Sequence, residues 1–349
     1  MPRIGRIAAV GAFLAGALAV EAVQTASTAV APSASYGTEA VSTAATAVPG
    51  GLLPVAKAYR YRMAGRVRPL LAFWIGKDDV GMARIVWRGD ETGDRAYELL
   101  VGTDPSYAPR AINRWGFITE QVSGRDGAAL AMMSRSEEGS FKDAQASVER
   151  SSRSGDFKAM RGRVAGGTAT SQVTTVQALG TPTVHDATRM IEQTWIETAG
   201  ARARAIEIEG NVRPGFLVAV AELVEHTMAA ARRSGDPLGQ LNGLRVPYVF
   251  GRELYELRAR SIEIGAEAVL GATTRVVHTG FEIRTAATGA RTRFEMSYPV
   301  DGAMAGVPLL VAWQPRWWLK VELHLDGDAA ARKMATGGAG GSLTGQPGS

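Results

Sequence analysis

Cysteine is absent from the 349-residue chain. Disulfides, thiol nucleophiles, zinc–thiolate sites and iron–sulfur ligation are therefore excluded, and packing alone must hold the fold. Imidazole is scarce as well, limited to His185, His226, His278 and His324. The sequence has no G-x-x-x-x-G-K-[ST] loop, no G-x-S-x-G elbow, no H-E-x-x-H pair and no G-x-G-x-x-G between a strand and a helix. No cofactor is expected. Nor is there a run of one charge: 39 basic and 34 acidic residues are interspersed to a net +5. Nothing in that pattern could track a phosphate backbone, so no nucleic-acid partner is expected.

What is present begins with MPRIGR, two arginines ahead of an unbroken apolar stretch from Ile7 to Val20 and then small residues to Ser35. Basic, then apolar, then small is the order of a secretory leader. The apolar part is short of the roughly 20 residues a spanning helix needs. We expect a signal peptide over 1–22 with cleavage between 22 and 34, export to the periplasm or beyond, and no further membrane span. Residues 23–54, almost all Ala, Thr, Ser, Val, Gly and Pro, read as a flexible tether. The Gly-rich end, 328–349, has nothing to bury and reads as a disordered tail. The folded body is expected in a β-rich half, 55–180, and a second half, 181–327, made of a helical insert and antiparallel strands. A body of that size can bury a core without staples.

Strand periodicity dominates it. Tyr59 and Tyr61 alternate with Arg60 and Arg62; Val277, Phe281 and Ile283 share a face, as do Phe294, Met296 and Tyr298. In WWLKVELHLD, Trp317, Leu319, Val321, Leu323 and Leu325 oppose Trp318, Lys320, Glu322, His324 and Asp326, the mark of a half-buried strand. Two stretches have helical spacing instead. One offers Asp186 as N-cap and Gly200 as stop. The other starts near Pro214 and carries the stripe Phe216, Leu217, Val220, Leu223, Val224 and Met228. Strands, then helices, then strands predict an α+β fold: mostly antiparallel curved sheet, half-barrel or barrel-like, with two central helices packed on it. One continuous sheet and two subdomains remain open, and so does the oligomeric state. Lys77, Asp78 and Asp79, between two strand-like runs, fall where a hairpin turn is expected, since Asp favours turns.

Few residues carry chemistry. Glu222 and His226 lie four apart on the long helix and share a face, an arrangement open to acid–base work or to plain solvation. His278 with Glu282, and His324 with Glu322, occupy polar strand faces; were those strands adjacent, they would offer zinc ligands. The irregular stretch 102–121 holds Arg110, Asn113, Arg114 and Trp115. It reads either as an anion- or sugar-binding loop or as a loop pinned by its own hydrogen bonds with Trp115 plugging the core. Trp318 is expected to face outward as part of a binding surface.

At FWIGKDDVGMARIVW, INRWGF and PRWWLKVELHL the chain resembles exported bacterial proteins that are themselves uncharacterised. That resemblance covers most of the folded part and implies no activity or site. In strand content and export the chain also resembles periplasmic proteins whose curved antiparallel sheets cradle lipids or lipoproteins, an analogy of shape. Two functional expectations follow. The leading one is a non-catalytic envelope protein whose curved sheet, closed by the long helix, binds an apolar ligand such as a lipid, or an envelope partner. The alternative is a periplasmic hydrolase of an envelope polymer using a histidine–carboxylate site.

Overall fold

A computed structural model describes residues 48–50, 53–67, 74–89, 93–134, 156–233, 235–251, 253–316 and 319–327. The leader, most of the tether, the polar stretch 135–155, the tail 328–349 and Trp318 lie outside the described residues, as does the side chain of Arg110.

The alternating segments form fourteen strands. The first seven are β1 (Val55–Val67), β2 (Ile75–Gly89), β3 (Arg95–Thr103), β4 (Trp115–Ser123), β5 (Asp126–Ser134), β6 (Asp156–Ala165) and β7 (Thr168–Gln177). After a helical region holding β8 (Ala203–Glu207) come β9 (Val246–Phe250), β10 (Glu253–Val269), β11 (Ala272–Thr285), β12 (Arg291–Pro299), β13 (Leu310–Arg316) and β14 (Leu319–Leu325). All belong to one antiparallel sheet in the order β8-β7-β6-β5-β4-β3-β2-β1-β14-β13-β12-β11-β10-β9. The two strand blocks of the sequence are thus halves of a single sheet. They join where β1 pairs β14, from Tyr61↔Leu325 to Val67↔Leu319.

The ladder is not closed. Its ends, β8 and β9, are linked through the segment that follows β8: Arg213 forms a parallel bridge with Tyr248. Its N–H donates to the Pro247 carbonyl at 2.8 Å and its carbonyl accepts the Val249 N–H at 3.0 Å. Val212, Val164, Ala169 and Val249 pack beneath this seam.

Two helices take opposite faces of the sheet instead of sharing a central position. Helix α1 (Ile191–Ala199) lies outside, where Trp195 joins Trp115, Phe117, Phe157 and Val176 in one cluster. Helix α2 (Phe216–Arg232) lies inside. It packs against β3 and β4 and also against β9, β10 and β11; its first turn alone meets Glu120 of β4 and Tyr248 of β9. Nine strand spacings separate β4 from β9, roughly 43 Å if the sheet were flat. A helix of 17 residues spans only roughly 25 Å. The sheet therefore curls around α2, and its inner residues face the helix from both sides. The division follows from the sequences: α1 has apolar side chains on one side only, whereas α2 adds buried Val218, Ala219 and Ala230 beside its Phe216–Met228 stripe and is suited to burial on most of its surface.

Local readings differ in two places. Asp186 does not cap α1 with its side chain; its carboxylate accepts the Thr183 N–H at 2.9 Å and pairs with Arg189. A 3-10 turn, Ala187–Met190, intervenes, so α1 begins only at Ile191, and Gly200 caps its end. Lys77, Asp78 and Asp79 do not form a hairpin turn either. They lie within β2, where the pairing with β1 jumps from Met63↔Gly81 to Gly65↔Lys77, a bulge. Asp79 has φ of 54°, the left-handed conformation that Asp tolerates and a bulge exploits. Asp78 pairs with Arg66 and Asp79 with Arg62 across the strands.

Candidate functional site

The inner face of the curled sheet is larger than α2 can fill. Between the helix and β1–β4, β11–β14 a cavity of about 540 Å³ remains. From the sheet it is lined by Ile85, Trp87, Leu99, Ile118, Phe294, Met296, Trp313, Val321 and Leu323, and from the helix by Phe216, Leu217, Val220, Val224 and Met228. The pleat explains this lining. Positions 97, 99 and 101 of β3 alternate inward, as do 321 and 323 of β14, and on the helix the same spacing that makes an apolar stripe aims it at the void. Volume and composition are those of a site for an apolar small molecule.

Helix α2 is held at both ends. At its start, Glu120 of β4 points inward and its Oε2 accepts the Val218 N–H at 3.0 Å. The N–H groups of Leu217 and Phe216 also face this carboxylate. Glu120 is fully buried, and its Oε1 has no hydrogen-bond partner among the described residues. Burial pushes the carboxyl up to about 7, against the opposing pull of the three backbone N–H groups. The approach is close enough that a Cβ on Gly215 would sit 2.1 Å from the Glu120 Cδ, so only glycine fits there. Further along α2, the Thr227 hydroxyl and the Tyr298 phenol share a 2.5 Å hydrogen bond, and Tyr298 also bonds Thr279 at 2.7 Å. At its end, Arg232 donates to the Val300 carbonyl and pairs with Asp301, which Arg275 also holds.

The lining also includes Ala56 and Lys57 at the start of β1, Gly89, Gly93 and Asp94 at the facing ends of β2 and β3, and the segment Ala305–Pro308. The charged residues of the lining balance, Lys57, Arg88 and Arg95 against Asp94, Glu98 and Glu225. Arg88 donates to Glu98 at 2.6 Å and to the Leu53 carbonyl; Arg95 pairs with Glu225 of α2 at 3.2 Å. Lys57, opposite Trp87 in the β1–β2 register and in the same alternation as the inward Tyr59 and Tyr61, makes no ion pair among the described residues.

The candidates read from sequence lie elsewhere. Glu222 is engaged by Arg213, and His226 is 3.9 Å from its other oxygen with the imidazole half exposed. His278 bonds Ser297 at 2.8 Å and Glu267 at 2.7 Å. Glu282 is instead paired with Arg258, Arg260 and Arg293. Desolvation penalises its charge, but Arg258 above all, with Arg293 and Arg260, holds the carboxyl below the usual range. His324 pairs with Glu322, which Arg66 and Lys320 also hold. The strands of His278 and His324, β11 and β14, are three spacings apart, roughly 14 Å. They cannot share one ion, and no three His, Asp or Glu side chains among the described residues are grouped as metal ligands.

In the 102–121 stretch, Asn113 and Trp115 both donate to the Pro182 carbonyl at 2.8 Å. The Thr103 hydroxyl holds the Arg114 N–H at 2.8 Å, and all three side chains are buried. That is the pinned, core-plugging arrangement, and it offers none of the three to a ligand.

Sequence reasoning missed Glu120, Lys57 and the place of Trp87 and Trp313 in the cavity wall. A signal existed for each charged group: both interrupt the apolar side of an alternating strand, Lys57 ahead of Tyr59 and Tyr61, Glu120 after Ile118.

No family model matches the sequence, and no curated protein matches it. Among solved structures, the chain is similar to a beta-barrel-like protein of the domain of unknown function DUF1849 from Brucella abortus. Sequence identity is 8%, the TM-score is 0.41, and the match covers 77% of this chain and 95% of that one.

Proposed function

We propose that this is an exported envelope protein that binds an apolar ligand, without chemistry, in the cavity between α2 and the inner face of the sheet. One observation carries the reading: an internal space of about 540 Å³ whose walls are mostly apolar side chains from β1–β4, β11–β14 and α2. Apolar walls stay dry when empty and gain from any hydrocarbon that displaces the void. The leader-like N-terminus supports placement outside the cytosol, where apolar molecules must be carried between membranes through water. Competition from catalysis is weak, because Glu222 is already neutralised by Arg213 and the histidines are dispersed over separate elements.

Native mass spectrometry of the full chain, purified from its own envelope without harsh detergent, tests this. The expected result is an adduct of lipid-like mass that is weakened in Val220→Trp, which projects an indole ring into the void, with circular dichroism showing that the variant still folds. An adduct-free wild type that also takes up no added hydrocarbon would overturn the reading.

A further inference from the structure

On β10, β11 and β12 the outward side chains are sorted by charge. Tyr255, Leu257, Phe281, Ile283 and Phe294 point into the core, so the residues between them point out. The register sets Arg258, Glu282 and Arg293 in one row across the three strands and Glu256, Arg284 and Arg291 in the next. Arg260, at the β10 bulge, reaches Glu282 at 3.5 Å, and Arg245, just ahead of β9, reaches Glu256 at 3.0 Å. With Glu295, the next outward position of β12, six arginines meet three glutamates. Glu263 and Glu267 follow only past the bulge, toward the β10–β11 turn, where Glu267 is taken by His278.

The acids within the patch are outnumbered and already engaged. Glu282 lies buried beneath Arg258 at 3.1 Å, Arg293 at 3.3 Å and Arg260. Glu256 serves Arg245 and, at 3.7 Å, Arg284. Arg291 is exposed and makes no ion pair among the described residues, yet it stands directly opposite Arg284. Like charges set opposite each other destabilise a sheet. An anionic partner would relieve that repulsion. Guanidinium forks match phosphate oxygens two at a time, and Arg260 and Arg293 each spend one N–H on Glu282. None of the exposed large apolar side chains among the described residues falls in these rows. The face therefore lacks the apolar centre around which a protein–protein contact is built. A fluid layer of phosphate-bearing head groups needs no such centre.

We propose that the outer face of β10–β12 docks the protein on an anionic phospholipid surface through Arg245, Arg258, Arg260, Arg284, Arg291 and Arg293. Docking of this kind requires no occupant in the cavity, so it stands or falls apart from the apolar-ligand reading.

Co-sedimentation of the full chain with vesicles tests it. Vesicles of phosphatidylcholine alone report whatever the apolar N-terminal stretch binds, and vesicles holding phosphatidylglycerol add the anionic head group. Binding should be stronger to the anionic vesicles and should fall as salt rises. Arg291→Gln, which breaks no ion pair among the described residues, should weaken the anionic component about fivefold, or about 1 kcal/mol. Arg291→Gln with Arg293→Gln should weaken it further, while circular dichroism shows the fold retained. Arg125→Gln removes the same charge from the exposed β4–β5 turn, on the other half of the sheet, and should leave binding unchanged. Equal binding to both kinds of vesicle would overturn the proposal, as would equal losses from Arg125→Gln and Arg291→Gln, which would show net charge acting in place of the patch. Retention by an acidic peptide or by single-stranded DNA, at a salt concentration that releases the anionic vesicles, would assign the face to a protein or nucleic-acid partner and overturn it too.

Discussion

Glu120 on β4 and Val218 in the first turn of α2 are joined by a 3.0 Å hydrogen bond across 98 residues of chain. A buried carboxylate thereby occupies the electropositive end of the inner helix, the favourable end for an anion. The contact fixes where α2 enters the curled sheet and hence the width of the space beside it.

That contact makes stability depend on pH. The Glu120 carboxyl is raised from 4.5 to about 7 in the folded protein. Between those values the folded state holds a proton that the unfolded chain has released, so stability falls as pH rises. The contribution is complete below about pH 4.5 and lost through pH 7, with an upper bound of roughly 3 kcal/mol. Carboxylates held low by arginine, such as Glu282 and Asp301, act in the opposite sense and only in more acidic solution. Urea unfolding at pH 5 and pH 8 should show wild type losing stability over this interval, with Glu120→Gln losing clearly less. Equal slopes for the two proteins would refute the assignment.

Gly215→Ala should reproduce part of the same defect by steric means. Its new methyl would collide with the Glu120 carboxyl group, whose atoms lie within 2.4 Å of the ideal Cβ position. Overpacking of this kind costs about 1–3 kcal/mol. Because both changes break one contact, Gly215→Ala combined with Glu120→Gln should cost less than the sum of the two. Strict additivity in denaturant titrations would show that the residues act separately.

Truncations along α2 should sort by the face they occupy. Leu223 is fully buried, and Leu223→Ala should cost about 2–5 kcal/mol because a new cavity is left behind. Leu217 borders the existing void, so Leu217→Ala enlarges space already present and should lose little more than the transfer term, about 1–2 kcal/mol. The order of the two midpoints is the measurement, and the reverse order would contradict the placement of the cavity.

Trp115→Ala should destabilise by about 3–5 kcal/mol, since the ring is buried against Phe157 and its N–H is taken by Pro182. It lies on the outer side of the sheet, away from the cavity. Apolar-probe affinity, measured below the unfolding transition, should therefore be unchanged; a parallel loss of binding would point to a site in the 102–121 loop.

The antiparallel sheet was legible because alternation is local. Val321 and Leu323 in β14, or Phe281 and Ile283 in β11, declare an inner face within a few residues, and both pairs are buried. Bulge and cap were not legible, because each depends on a distant partner. Asp79 is turn-like by itself, and only the offset against β1 makes it a bulge within a long strand. Glu120 reads as an ordinary polar position until the start of α2 arrives from nearly a hundred residues away. The lining of the cavity falls between these cases. The α2 stripe was visible, but its division into a face that packs and a face that borders empty space is set by how far the sheet curls, a property no single segment encodes.

Thirteen neighbouring strand pairs run as antiparallel ladders, and the circuit is interrupted between β8 and β9, where among the described residues the Arg213–Tyr248 bridge, with the Val212–Val249 packing beneath it, stitches one edge to the other. Every ladder resists lengthwise slippage, because a one-residue slip would turn its greasy side chains outward. Any parting of one sheet edge from the other that leaves every ladder in register must therefore begin at this stitch.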